Sequence, residues 1–168
     1  MCSESNDIAY IKTPIGTAKI TGNDQGICSI AVIDEKVDLS VAIPNTLKPC
    51  AEQLNAYFKG ELREFDLKLN PQGTDFQKKV WNALLNVPYG TTRSYMEQTR
   101  TLGDKKAIRA VANANGKNPI WIVIPCHRII GSNGSLTGYA GGKWRKKWLL
   151  EHENPSDQLR FFKTSKFI

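Results

Sequence analysis

Histidine is scarce in this chain: there are two, His127 and His152. The four cysteines, Cys2, Cys28, Cys50 and Cys126, form no C-x-x-C pair. Zinc fingers and ribbons need clustered thiols and imidazoles, so that class is excluded and no metal site is expected. Long apolar runs are missing as well. The longest, Ile120 to Ile124, falls far short of the roughly 20 residues of a membrane helix. The opening MCSESNDIAYIKTP has no basic start followed by an apolar stretch, so no signal peptide is expected. No low-complexity segment dominates, and 40% hydrophobic residues suffice for a real core. These absences lead to the expectation of a soluble, cytoplasmic protein (nuclear if the source is eukaryotic) with no membrane partner and no need of disulfides.

Acidic residues are thin in the second half. Residues 1–76 carry seven Lys/Arg and eleven Asp/Glu, a balance of −4, whereas residues 77–168 carry sixteen and five, a balance of +11. A polyanion-binding C-terminal half has this asymmetry, and so does a solvated basic face with no partner.

The first 70 residues read as short strands broken by Pro14-Ile15-Gly16 and by Gly22 to Gly26, both hairpin signals. A helix follows, with Cys50, Leu54, Tyr57 and Phe58 at helical spacing and Gly60 as its stop. FDLKLNPQGT reads as one more strand and a turn. Beyond Asn70-Pro71-Gln72-Gly73 the pattern becomes helical. The first helix is capped by Thr74 or Asp75 and buries Phe76, Val80, Trp81, Leu84 and Leu85. The second is capped by Ser94, and the third is opened by Asp104 and closed near Gly116. The last two, joined across Gly103, have a helix-turn-helix signature. The third is mostly small residues, Ala107, Ala110, Ala112 and Ala114, with Arg109 as its one long side chain. Small residues let a helix approach a narrow groove or pack tightly on a neighbour. IWIVIP reads as a buried strand, and KWRKKWLLEHE as a terminal helix with Trp144, Trp148 and Leu149 inward.

Cys126 and His127 follow Pro125 directly. In extended backbone their side chains would point to opposite faces, so the chain must turn after Pro125 if the imidazole is to serve the thiol. A thiol reacts as thiolate, and a base oriented by a carboxylate is the usual means of making one. Glu151 and Glu153 are the candidate carboxylates. Such a constellation suits a cysteine hydrolase or an alkyl or acyl acceptor. A structural cysteine in a non-catalytic winged-helix DNA binder is the third reading.

IPCHRII, preceded by RAVANANGKNP and followed by GSLTGYAGG and WLLEHE, resembles the methylated-DNA–protein-cysteine methyltransferases, the O6-alkylguanine repair proteins. FQKKVWNALLNVPYG and Ser94-Tyr95 extend the resemblance, which spans residues 74–153 in the family's order and spacing. It implies a small α/β, ribonuclease-H-like N-terminal domain (1–72) and a winged-helix, helix-turn-helix domain with the active-site cysteine (73–153). A tail (154–168) has no assigned role. It implies a monomer without cofactor that flips an O6-alkylguanine, or O4-alkylthymine, out of double-stranded DNA and keeps the alkyl group on Cys126. His127 would act through water as base and Glu153 would orient it. Asn118 would hold the turn, and Tyr95 would protonate the guanine ring and press the target phosphate. Arg109 would fill the gap left by the flipped base, with Ala110 and Ala114 along the close-approaching helix. Gln77 and Ser132 would meet phosphates. Pro125, Tyr139, Ala140 and Gly141, within a loop from Thr137 to Gly141, would line the base pocket. The zinc-binding members use N-terminal histidines, which this chain lacks.

Overall fold

Two hairpins open the chain. In the computed structural model, which describes residues 6–136 and 138–157, β1 (Asp7–Thr13), β2 (Gly16–Asn23) and β3 (Gly26–Ile33) form an antiparallel sheet in sequential order. Alternation decides its inner face: Ala9 and Ile11, Ala18 and Ile20, and Ile30 and Val32 are buried, as period-two patterning requires. Gly26, at φ +131°, ends the second turn. A Cβ there would stand 2.7 Å from the Lys68 carbonyl oxygen, so both backbone angle and space demand glycine. Helix α1 (Lys48–Phe58) begins with Pro49 in its first turn and buries Cys50, Ala51, Leu54 and Tyr57. These elements belong to one compact unit, made of residues up to Gly73 together with Pro119–Val123.

Two expected strands are shorter than the sequence implied. FDLKLNPQGT contributes one parallel bridge, Leu69 to Ile27, and IWIVIP one, Ile120 to Ile30. After Ile120 the backbone turns, and Ile122 adopts φ +74°, an unusual angle for a β-branched residue. The apolar run is buried because it turns inside the core, and pairing plays little part.

The second unit contains Thr74–Asn118 and the chain from Ile124 onward. Thr74 caps α2 (Asp75–Leu84) through a reciprocal box, with Gln77 N–H donating to Thr74 Oγ1 and Thr74 N–H donating to Gln77 Oε1. Val80, Trp81 and Leu84 are buried, and each such side chain contributes about 1.5–3 kcal/mol. Phe76 and Leu85, expected inside, are 40% and 46% exposed because they sit at the helix ends, beyond the packed stretch. Trp81 Nε1–H donates to the Ala114 carbonyl at 2.8 Å, fixing α2 on α4 (Ile108–Gly116).

Ser94 caps α3 (Tyr95–Thr101), and Asp104 caps the short 3-10 turn that leads into α4. The two helices are joined inside by a reciprocal amide pair: Gln98 Nε2 donates to Asn115 Oδ1 (2.9 Å) and Asn115 Nδ2 donates to Gln98 Oε1 (2.7 Å). Both residues are 4% exposed, so each amide satisfies the other where water has little access.

The last helix, α5 (Lys143–Glu153), buries Arg145, Lys146, Leu149, Leu150 and Glu153, a stripe at helical spacing. Trp144, expected inward, lies off that stripe and is 55% exposed. The Arg145 guanidinium lies 4.6 Å from its ring centroid. Trp148 stacks on His152.

Candidate active site

Two short segments bring the site together. β4 (Arg93–Ser94) pairs in parallel with β5 (Ile129–Ile130), with Arg93 opposite Ile129 and Ser94 opposite Ile130. Tyr95 follows the first segment directly, and Cys126-His127-Arg128 precedes the second.

The turn that the sequence required is present. Pro125 has φ −85° and ψ 61°, and Cys126 N–H donates to the Ile124 carbonyl at 2.9 Å, an inverse γ-turn. A 3-10 turn over Cys126–Arg128 follows, so the alternation of an extended strand is broken at the thiol. Asn118 Nδ2 donates to the Ile124 carbonyl (2.8 Å) and to Cys126 Sγ (3.2 Å), tying the amide to both turn and sulfur.

Of the two candidate carboxylates, Glu153 is the one behind His127; Glu151 faces Lys147 at 3.9 Å near the surface. His127 Nε2 lies 2.7 Å from Glu153 Oε2, and both side chains are fully buried. The same carboxylate accepts from Arg128 Nε (2.8 Å) and Nη2 (3.0 Å) and from the Gly90 N–H (3.4 Å). Arg128 Nη1 donates onward to the Val87 carbonyl at 2.7 Å. Burial pushes Glu153 up, but His127 and Arg128 outweigh it and hold the carboxyl well below the usual range. An ionised carboxylate only accepts, so His127 Nε2 carries the proton and Nδ1 keeps the lone pair. Nδ1 is buried with no hydrogen-bond partner among the described residues. Burial, opposed by Glu153, lowers the imidazole pKa, so the ring is a neutral base at pH 7.

Cys126 is buried, at 8% exposure for the whole residue against 0% for His127. Burial pushes the thiol up, while the Asn118 hydrogen bond and the Lys146 charge pull it down. Lys146 is 1% exposed and its Nζ stands 5.7 Å from the Tyr95 ring centroid. Burial brings its pKa down to about 8, against an opposing pull from Cys126.

The remaining expected positions divide. Pro125 and Gly141 are buried, Ala140 is exposed, and Tyr139 has its hydroxyl inside, where burial drives its pKa up. Arg145 Nη1 donates to the Gly141 carbonyl at 3.1 Å, bracing the loop. Gly138 has φ +69°, and a Cβ there would meet the Tyr95 hydroxyl at 3.2 Å. Thr137 lies outside the described residues, as do residues 158–168 of the expected tail. Arg109, Ala110 and Ser132 are exposed, and Gln77 is half-buried with its amide oxygen used in the cap. Ala114, expected along the DNA-facing surface, is instead 1% exposed beneath Trp81, so the outer face of α4 is carried by Arg109, Ala110 and Asn113.

Sequence reasoning missed two participants. Arg128 was visible in PCHR but had no assigned role. Lys146 was hidden in a basic run that looks like solvated surface; the available signal was its spacing, three residues before Leu149 on the buried stripe. Among the described residues no group of three or more His, Cys, Asp or Glu is placed to hold a metal, and no helix is long and apolar enough to cross a membrane.

Known proteins are similar to this chain over most of their length. Residues 75–155 match the family model described as the 6-O-methylguanine DNA methyltransferase DNA-binding domain, and residues 8–71 match its ribonuclease-like domain. A methylated-DNA–protein-cysteine methyltransferase of Methanosarcina acetivorans is 46% identical over 150 residues, 86% of this chain and 96% of its own. The crystal structure of Mycobacterium tuberculosis O6-methylguanine methyltransferase superimposes with a TM-score of 0.80 at 44% identity, covering 89% of this chain and 93% of that one. A structure of the Mycobacterium tuberculosis protein in complex with DNA gives the same score at 45% identity, covering 88% and 93%. Both parts of the chain match in sequence and the fold agrees: the protein belongs to the methylated-DNA–protein-cysteine methyltransferase family.

Proposed function

We propose that the protein repairs double-stranded DNA by direct reversal, moving the alkyl group of O6-alkylguanine, and of O4-alkylthymine, irreversibly onto Cys126. The observation that carries this reading is a thiol held by Asn118 in the same turn as a fully buried His127–Glu153 pair whose Nδ1 lone pair is left over. The thiol proton passes through a water to Nδ1. Sulfur then attacks the alkyl carbon, a C–S bond forms as the C–O6 bond breaks, and the electron pair stays on the base. The Tyr95 hydroxyl protonates the guanine ring as O6 collects charge. The thioether has no leaving route, so each molecule acts once, without a cofactor.

The lesion must leave the stack to reach Cys126. Residues 73–153, apart from Pro119–Val123, form the DNA-binding and transfer domain, and residues 1–72 with Pro119–Val123 the α/β domain, the whole acting as a monomer. In this reading the α3–α4 pair binds the minor groove, Ala110 allows close approach, and the exposed Arg109 fills the gap left by the flipped base. Pro125, Tyr139, Ala140 and Gly141 line the base pocket. Tyr95 presses the target phosphate, while Ser132 and the free amide end of Gln77 bind others. Phosphate contacts position the protein without reading sequence, which suits lesions at random sites.

The decisive experiment weighs the intact protein after incubation with duplex DNA carrying O6-methylguanine. A gain of one methyl group, absent in Cys126→Ser, is expected. Repeated turnover of an ester or amide would indicate a hydrolase, and unchanged mass with tight binding a non-catalytic DNA binder. Arg109→Ala tests the finger: repair in duplex is expected to slow about 10- to 100-fold, since flipping costs a few kcal/mol. Reaction with free O6-benzylguanine, which needs no flipping, is expected to stay unchanged; equal losses on both substrates would refute the role.

A further inference from the structure

Two asparagines stand two residues apart in α4 and are used in opposite ways. Asn115 is 4% exposed, and its amide is committed to Gln98. Asn113 is exposed, and its side-chain amide has no hydrogen-bond partner among the described residues. Only its main chain serves the fold, the Asn113 carbonyl accepting from the Lys117 N–H at 3.2 Å. Asparagine is a poorer helix former than the alanines around it, so folding does not explain its presence. Gly116, next on that face, is equally unforced. It is not among the glycines with positive φ, and a Cβ there would meet nothing within 4 Å. The face is continuous: Lys106, Arg109, Ala110, Asn113 and Lys117 fall at i, i+3, i+4, i+7 and i+11, and all are exposed, whereas Val111, Ala114 and Asn115 are buried. Residues 105–118 hold no acidic side chain. Three cations thus surround one neutral amide, a charge pattern that suits phosphates on the walls of a groove and a polar edge on its floor.

Resting on the repair reading, with α4 in the minor groove, we propose that Asn113 is a specificity-determining residue: it reads the 2-amino group of a guanine one or two base pairs from the lesion and favours lesions in that context. On the minor-groove floor every base pair offers acceptors, and only guanine adds a donor, its 2-amino group beside N3. A carboxamide holds donor and acceptor side by side, so Nδ2–H donates to guanine N3 while Oδ1 accepts from the 2-amino group. An A·T pair supports the first bond alone. Lysine and arginine have no acceptor, so none of the three cations can make this distinction. Asn113 lies four residues beyond Arg109, about 6 Å along the helix. Base pairs are about 3.4 Å apart, so with Arg109 in the gap left by the flipped base the amide reaches a pair within two steps of it. Gly116 keeps the neighbouring surface clear for the groove wall.

Competition between duplexes tests this. The full-length protein is offered pairs of duplexes carrying O6-methylguanine, identical except at the first or second base pair on either side of the lesion. That pair is G·C, inosine·C, A·T or 2,6-diaminopurine·T, with the purine on each strand in turn. Inosine is guanosine without the 2-amino group and diaminopurine is adenine with one, so the amino group is varied separately from pairing strength. Mass spectrometry of the strands gives the ratio repaired. At one position, G·C over inosine·C and diaminopurine·T over A·T are both expected to be preferred about fivefold, the low end for a bidentate contact. Asn113→Ala is expected to abolish the preference and to melt no lower than the parent, alanine being the better helix former. Lys117→Ala is expected to slow repair of all four alike and leave the ratio standing, as loss of a phosphate contact does. Equal rates in the parent at every position, a preference that follows pairing strength, or one that survives in Asn113→Ala would overturn the proposal. A parent that takes up no alkyl group from any duplex would instead sink the repair reading.

Discussion

Glu153→Gln is expected to be the most damaging single change outside the nucleophile, costing about 3–5 kcal/mol of folding stability. The carboxylate accepts from His127, twice from Arg128 and from the Gly90 N–H, all in a buried setting. An amide of the same shape removes the charge and leaves the Arg128 guanidinium inside with only the Val87 carbonyl and a neutral oxygen. Urea unfolding at pH 7 should show a lower midpoint with an unchanged slope. The sign with pH follows from the direction of the shift. Glu153 is held ionised in the folded state, so its contribution is present above the unfolded carboxyl pKa of about 4.3. It fades as pH falls through the lower folded value, and parent and variant should converge in acid. A double variant with Arg128→Met should recover part of the loss, since it no longer strands a guanidinium; no recovery would mean that the cost lies elsewhere.

His127→Phe is expected to slow alkyl transfer about 10²–10⁴-fold, the range of a positioned general base. The imidazole is neutral at pH 7 because burial lowers its pKa, and its Nδ1 lone pair has no hydrogen-bond partner among the described residues. The parent rate should therefore fall in acid only below the usual histidine pKa of about 6.5. The phenyl variant should lose that acid limb along with most of the rate. The two proteins also differ in stability with pH. For a base whose folded pKa is depressed, the unfolded chain takes up the proton first, so the parent loses stability as pH drops from about 6.5. Phenylalanine has no proton to take. Rates on free O6-benzylguanine across pH 4.5–8 and melting curves over the same range check both expectations; a phenyl variant as fast as the parent would remove His127 from the chemistry.

Much of the site was legible because its chemistry is compressed into one stretch. Pro125, Cys126 and His127 pose a question about backbone direction, and the inverse γ-turn at Pro125 answers it. Helix caps at Thr74, Ser94 and Asp104 were readable because side-chain oxygens that satisfy free N–H groups have few substitutes. Several errors share one cause, the rule that apolar means inside. On α5 the rule placed Trp144 in the core, whereas the buried stripe holds Arg145, Lys146 and Glu153, three charged groups with interior work. At the ends of α2 it placed Phe76 and Leu85 inside, where a helix has run out of neighbours. IWIVIP read as a strand because burial and pairing look alike in a short apolar run, and only the backbone shows the turn at Ile122.

The two-residue ladder between Arg93-Ser94 and Ile129-Ile130 acts as a gauge block. One step of slip along it would shift Tyr95 against Cys126 by about 3.3 Å, about the full length of a hydrogen bond. Laboratory evolution of this chain should consequently accept many substitutions around those four positions while rejecting single-residue insertions and deletions there, whatever their chemistry.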